Sequence, residues 1–308
     1  MSTENKKYRL ITRSDMDGLI CAVLLKHLDI INEIKFVHPK DMQDGKIEVT
    51  SNDITTNLPY VEGVYLSFDH HDSEVTRNQI KPNHIIIPNA PSAAEVVFRY
   101  YGGWEKFPLR FKDMLEAANR SDAADLTIDD IIRPEGWNML SFIMDNRTGL
   151  GRFKDFRISN YALMMDLIDY CKDHTIDEIL AYPDVKERID LYFEYEQEFK
   201  EQIQRCSTIY GNLVVLDLTN EEIIYPGNRF LIYAMYPRIN VSIHKMWGYD
   251  KQKIVYAVGK SIINKTCDIN IGDLMLKYGG GGHSAAGTCQ IELNKADQIL
   301  QELIQTLK

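Results

Sequence analysis

Carboxylates and imidazoles set directly behind short apolar runs constrain this chain more than any other feature. The run 8–12 (YRLIT) is followed by Asp15-Met16-Asp17-Gly18, and the run 64–68 (VYLSF) by Asp69-His70-His71-Asp72. Between them, further short β-type runs (34–37, 46–50 and 84–87) alternate with helical patterns at 19–28 and from Ser92 to Tyr101. Strands alternating with helices predict an α/β fold around a parallel, Rossmann-like sheet. In such a sheet, ligands bind outside the carboxyl ends of the strands. Both polar clusters fall where that rule places a site.

The 308 residues suggest two domains at about 150 residues each, and 44% hydrophobic content supplies a packed core. From 111 to 199 the pattern is mainly helical, and the charged, periodic stretch 185–206 reads as one connecting helix. After Gly211 the chain becomes β-rich again, with strands expected at 212–218, 229–235, 239–245 and 254–258. A helix at 271–277, a glycine run, a strand at 288–293 and a helix at 295–306 follow. The expected division is a catalytic domain over 1–184, a connecting helix and linker over 185–210, and a smaller α/β domain over 211–308.

Charge narrows the partners. The formal net charge of −10 opposes a chain that holds long nucleic acid through surplus Lys and Arg. It leaves room for a small phosphorylated substrate met by metal ions, helix N-termini and a few side chains. Five cysteines without a C-x-x-C pair fit a reducing cytoplasm better than a disulfide framework. No window approaches the roughly 18 apolar residues of a membrane span.

Each polar cluster carries two readings. Asp15 and Asp17 either ligate an ion or form an Asp-rich turn capping the next helix; a calcium loop is excluded because Lys26 stands where the twelfth-position Glu belongs. Asp69-His70-His71-Asp72 supplies ligands for Mn, Zn or Fe, or is a polar strand end. Neighbouring His residues on a strand point to opposite faces, so at most one of the two is expected on a first ion. Gly279-Gly280-Gly281-Gly282-His283 either exposes consecutive backbone N–H groups to an anion or is a linker. Asn119-Arg120-Ser121-Asp122, with Asp125, and the isolated Asp53 are by themselves compatible with caps and turns.

Taken in order, Asp-x-Asp-Gly, a later Asp, Asp-His-His, another Asp and GGGGH resemble the DHH phosphoesterase superfamily with its C-terminal DHH-associated domain, over nearly the whole chain. That superfamily holds oligoribonucleases that also cleave 3′-phosphoadenosine 5′-phosphate, cyclic-dinucleotide phosphodiesterases, single-strand exonucleases and exopolyphosphatase-like proteins. The resemblance implies a two-metal site, usually Mn2+, with Mg2+ or another divalent ion as alternatives, and Arg13 in place of a family His leaves the count at one or two. Asp15 and Asp17 would each ligate one ion, and Asp53 would bridge them. His70 would join Asp17's ion with Asp122, preferred over Asp125. Asp69 would orient His70, and His71 would face the phosphate. Gly280, Gly281, Gly282 and His283 would clamp the far end of the substrate, with Lys260 where the family often has an Arg. Ser92-Ala93-Ala94-Glu95 resembles the helix start that follows the family's DHH strand.

One position departs from the family. A His two or four residues before the first Asp is usual there, and this chain has Arg13 and Ile11. A guanidinium cannot ligate a metal. Either the first ion is held more weakly, or another residue replaces the His, or Arg13 reaches the phosphate; an ion pair with the Asp cluster is the plain alternative.

The resulting expectation is a metal-dependent phosphohydrolase for short phosphorylated substrates, cytoplasmic, off the membrane and compatible with a homodimer. Oligonucleotides compete with polyphosphate, since Tyr225, Phe230, Tyr236 and Trp247 could stack bases while Arg229, Arg238, Lys245, Lys260 and Lys265 could line a basic groove. Polyphosphate hydrolysis and a non-catalytic nucleotide sensor are the alternatives.

Overall fold

The computed structural model describes residues 6–70, 81–87, 89–152 and 155–308. His71 and Asp72 lie outside them. The chain forms two compact units: Met1–Asp125, Glu135–Asn146 and Gly151–Asp190 make the first, and Leu126–Pro134, Arg147–Leu150 and Leu191–Lys308 the second.

In the first unit, β1 (Tyr8–Arg13), β2 (Ile31–Val37), β3 (Asp53–Thr56), β4 (Leu66–Asp69) and β5 (His84–Ile86) form a sheet in the order β2-β1-β3-β4-β5. Every pairing in it is parallel. Helix α1 (Met16–His27) is buried on nearly all sides, with Leu19 through Leu25 at zero exposure. It packs against α2 (Ala93–Tyr100), α3 (Lys112–Asp122) and α4 (Asn160–Asp173). An all-round apolar helix of this kind belongs inside a layered α/β core rather than on its surface.

The expected strand at 46–50 is absent, and the chain instead enters β3 at Asp53. The expected connecting helix is two helices, Pro183–Glu194 and Glu196–Cys206, interrupted at Tyr195 (φ −100°, ψ 9°).

The second unit holds a six-stranded sheet in the order β10-β11-β9-β8-β7-β6. Its strands are β6 (Ser207–Tyr210), β7 (Leu213–Asp217), β8 (Val241–Trp247), β9 (Lys253–Lys260), β10 (Gly281–His283) and β11 (Ala286–Glu292). Only β7 and β8 pair in parallel; the other neighbours are antiparallel. One face packs on helices α5 (Ile271–Leu276) and α6 (Leu293–Leu307) through Val241, Ile243, Tyr256, Met275 and Leu303. The apolar run expected as a strand at 229–235 is instead the short helix Leu231–Met235, entered through the Asn228 side chain, which accepts from the Phe230 N–H at 3.0 Å. A short buried apolar run has no period that separates the two outcomes.

The glycine run is not a linker. Gly281–His283 forms β10 against β11, and a Cβ on Gly280 would lie 2.0 Å from the Thr288 carbonyl oxygen. Gly281 alone of the strand's two glycines has nothing within 4 Å of a built Cβ. Gly280→Ala should therefore cost about 1–3 kcal/mol through forced separation of the backbones. Gly281→Ala should stay within about 0.5 kcal/mol. Chemical denaturation of the two variants checks this, and equal effects would contradict the packing role.

Candidate metal centre

Three adjacent strands, β1, β3 and β4, end side by side, and the residues just past them form the site. Behind β1, Asp15 caps α1 and accepts from the Gly18 N–H at 3.0 Å. Gly18 is required at this turn, since a Cβ there would sit 1.9 Å from the Arg13 carbonyl oxygen. One residue earlier, Asp17 turns inward and is 2% exposed. Its carboxylate accepts from the N–H groups of Ala93 (2.9 Å) and Ala94 (2.7 Å), at the start of α2. A helix N-terminus offers unsatisfied N–H donors and a favourable dipole to such a charge.

Behind β4, the buried Asp69 accepts from the His70 backbone N–H at 2.7 Å. His70 Nδ1 lies 3.0 Å from the Ala90 carbonyl oxygen. A carbonyl can only accept, so Nδ1 carries a proton; in the neutral ring the Nε2 lone pair faces the cluster, and in the protonated ring Nε2–H donates to Asp122. Nε2 is 2.9 Å from the Asp122 carboxylate at the end of α3. Ser92 and Asn119 hold α3 in place: Ser92 Oγ donates to Asn119 Oδ1 (2.6 Å), and Asn119 Nδ2 donates to Glu95 (3.0 Å).

One ligand atom each from Asp17, His70 and Asp122 lies within 4.8 Å of the others. Two carboxylate oxygens and one imidazole nitrogen at that spacing suit a divalent transition metal. The electrostatics agree. Burial, followed by the charges of Asp122 and Asp15, pushes the Asp17 carboxyl up to about 7. Burial opposes protonation of His70, but its hydrogen bond to Asp122 and the charges of Asp122, Asp17 and Asp69 outweigh it and raise the ring to about 9. Without a cation, the cluster holds protons in its place.

The other expected residues are placed differently. Asp125 is exposed and outside the cluster, so Asp122 is the one brought to His70. Arg13 Nε stands 2.9 Å from Asp15 Oδ2, an ion pair with the Asp cluster. Asp53, expected to bridge two ions, opens β3 at its amino end, away from the cluster, in register with Arg9. Three strand steps of about 3.3 Å separate its Cα from Thr56, at the end where the site lies. Arg9 clasps its carboxylate through Nε (2.7 Å) and Nη2 (2.9 Å), and the Thr50 N–H donates at 2.6 Å. Burial works against ionisation of Asp53, but these donors prevail and hold its carboxyl below the usual range.

At the end of β3 stands a residue that sequence reasoning missed, Asn57. It adopts φ +53°, a left-handed conformation that Asn tolerates better than most. It is 2% exposed and donates from Nδ2 to Asp15 Oδ1 at 3.2 Å.

In the second unit, register aligns His283 with Ala286 and Ala286 with Gly259, which places Lys260 and His283 at the same end of the sheet. The Lys260 N–H also donates to the Ala285 carbonyl at 2.8 Å. Among the stacking and groove candidates, Phe230 is buried, Trp247 donates its ring N–H to the Thr219 carbonyl, and Lys245 pairs with Asp217 at 3.0 Å.

Compared with solved structures, the chain is similar to the pGpG-specific phosphodiesterase PggH from Vibrio cholerae. Identity is 59% over 98% of this chain and 99% of that one, with a TM-score of 0.87. It shares the fold of RecJ in complex with Mn2+ from Thermus thermophilus at 12% identity and a TM-score of 0.57, covering 99% of this chain and 52% of RecJ. The Mg2+ complex of that RecJ gives 13% identity and a TM-score of 0.50, over 99% and 50%. The chain thus spans about half the length of RecJ. No protein-family model and no curated protein matches the sequence. The chain belongs to the DHH phosphoesterases and is a hydrolase of phosphoester bonds. No helix among the described residues is long and apolar enough to cross a membrane.

The raised Asp17 and His70 act on stability in one direction. Each folded-state value lies above the ordinary one, so the stabilisation is complete below about pH 4 for Asp17 and 6.5 for His70. It is lost as pH rises through about 7 and about 9 respectively. The metal-free protein should therefore lose at least about 2–4 °C of Tm between pH 6 and pH 9. Added Mn2+ should stabilise it more at the upper pH, where its ligands are deprotonated. Thermal melts in EDTA and in Mn2+ test this; a flat or rising metal-free profile would count against the cluster.

Proposed function

We propose that this chain hydrolyses the linear dinucleotide pGpG to two molecules of GMP, with a divalent cation, Mn2+ in the first instance, held by Asp17, His70 and Asp122. The convergence of those three residues at the carboxyl ends of the strands carries the reading. The 59% identity with a pGpG-specific phosphodiesterase supports the substrate. Water adds to phosphorus, the bond to the 3′ oxygen breaks, and that oxygen leaves as a hydroxyl, so one water is consumed per two nucleotides formed.

A bound divalent cation supplies Lewis-acid polarisation of the phosphoryl group and makes a nearby water more acidic. The chain's own residues set the geometry. Asp17 is fixed by the two N–H groups at the start of α2, and His70 by the Ala90 carbonyl. Asp69 braces the backbone at His70 and acts through it as a positioning residue. We assign His71 and Arg13 to the scissile phosphate. In the second unit, Gly280, Gly281, Gly282, His283 and Lys260 are assigned to the rest of the substrate. The acidic balance of the chain fits a short substrate rather than a long strand, since few phosphates then need local neutralisation.

Incubation with Mn2+ and pGpG should release GMP, and longer oligonucleotides, 3′-phosphoadenosine 5′-phosphate and polyphosphate should react at least about tenfold more slowly. Chromatography of the products decides it; polyphosphate turnover without GMP release would overturn the substrate. His70→Ala should lower turnover by at least about a hundredfold while leaving the far-UV circular dichroism unchanged.

A further inference from the structure

The resemblance implies two ions, with Asp15 on one, Asp17 on the other and Asp53 between them. Observations in the first unit divide the charge differently. Asp53 is committed to Arg9 and Thr50 at the far end of β3. Both oxygens of Asp15 are already engaged by protein donors: Oδ1 by the Gly18 N–H and by Asn57 Nδ2, and Oδ2 by Arg13 Nε. The residue that β3 delivers beside Asp15 is an amide, Asn57, which adds no charge to attract a cation. An ion ligated by Asp15 would have to displace Arg13 and approach a fixed positive charge.

We infer that the site binds one divalent cation per chain, at Asp17, His70 and Asp122, and that Arg13, fixed on Asp15, supplies the second positive charge to the phosphoryl group. The inference deepens the phosphohydrolase reading and rests on it. A guanidinium suits this role because it stays protonated at any pH the enzyme meets and offers planar N–H donors that match phosphate oxygens. Arg13 has five such donors and is about one-third exposed (36%), so binding Asp15 through Nε is compatible with binding a phosphate. Asn57 and Asp15 are then positioning residues that aim Arg13.

The test counts ions without substrate. Native mass spectrometry and Mn2+ electron paramagnetic resonance on the full chain, titrated with Mn2+, should give one ion per chain with the spectrum of an isolated ion. Asp15→Asn should keep that ion with affinity within about threefold, while His70→Ala weakens it at least about tenfold. Arg13→Gln should keep the ion and lose about 10²–10³ in kcat for pGpG, with Arg13→Lys recovering part of it. Two Mn2+ per chain, a coupled-pair spectrum, or equal loss of Mn2+ in Asp15→Asn and His70→Ala would overturn the inference. The wild-type count needs no variant to fold. Two ions with GMP still released sinks this inference and leaves the proposed activity, whereas one ion with no GMP released sinks the proposed activity instead.

Discussion

The buried carboxylate of Asp17 is the contact on which the rest of the first unit depends. Taking an ionised carboxylate out of water is costly unless donors replace the solvent. Here the replacement is two backbone N–H groups at the start of α2, which the helix itself cannot satisfy. The bond serves both partners, because Asp17 answers orphan donors of α2 while α2 fixes the carboxylate. From there the linkage runs on through Ser92 and Asn119 to α3, whose last residue is Asp122. Two of the three candidate ligands are thus held by one chain of hydrogen bonds. The third, His70, is fixed separately by the Ala90 carbonyl.

Such an arrangement explains why the metal-free cluster retains protons. Asp17 cannot move away from Asp122 and Asp15 without breaking its bonds to α2, so their repulsion is relieved by charge rather than by distance. The proton on His70 is the cheapest relief available, and a divalent cation is a stronger one. Rigid carboxylates held together in this way favour cation binding, since their repulsion is already present in the folded chain.

Much of this is legible in the sequence, because the carboxyl-end rule needs only the strand ends. The runs ending near Thr12 and Phe68 match the strands to within a residue or two, and they locate Asp15, Asp17, Asp69 and His70. Asp53 is the exception. A strand read over 46–50 puts Asp53 just past a carboxyl end, whereas the real strand begins at Asp53 and puts it at the amino end. A shift of a few residues in one boundary thus moves a candidate ligand from one end of its strand to the other. Asn57 gives less warning, because an amide carries no charge and its left-handed backbone is invisible in composition. A β-branched run, Ile54-Thr55-Thr56, followed by Asn is the signal that marks that strand end. In the second unit, the glycines stand out in sequence for the freedom of their N–H groups, yet Gly280 is there because two backbones approach too closely for a side chain.

Arg9 and Arg13 lie four residues apart on β1, a spacing that puts both side chains on one face of the strand. Each meets an aspartate, and the same pairing has opposite consequences at the two ends. At the amino end Asp53 is buried, with its side chain 2% exposed, and Arg9 grips both oxygens. Removing Arg9 would strand the buried Asp53 carboxylate, so this pair fixes β1 against β3. At the carboxyl end Asp15 and Arg13 keep 23% and 36% of their side chains exposed, so water screens the pair and it contributes little to stability. What that position offers is a cation held in place beside the cluster and still partly exposed. The sheet uses one ion pair to hold its strands together and the other to present a charge, and the direction of β1 determines which is which.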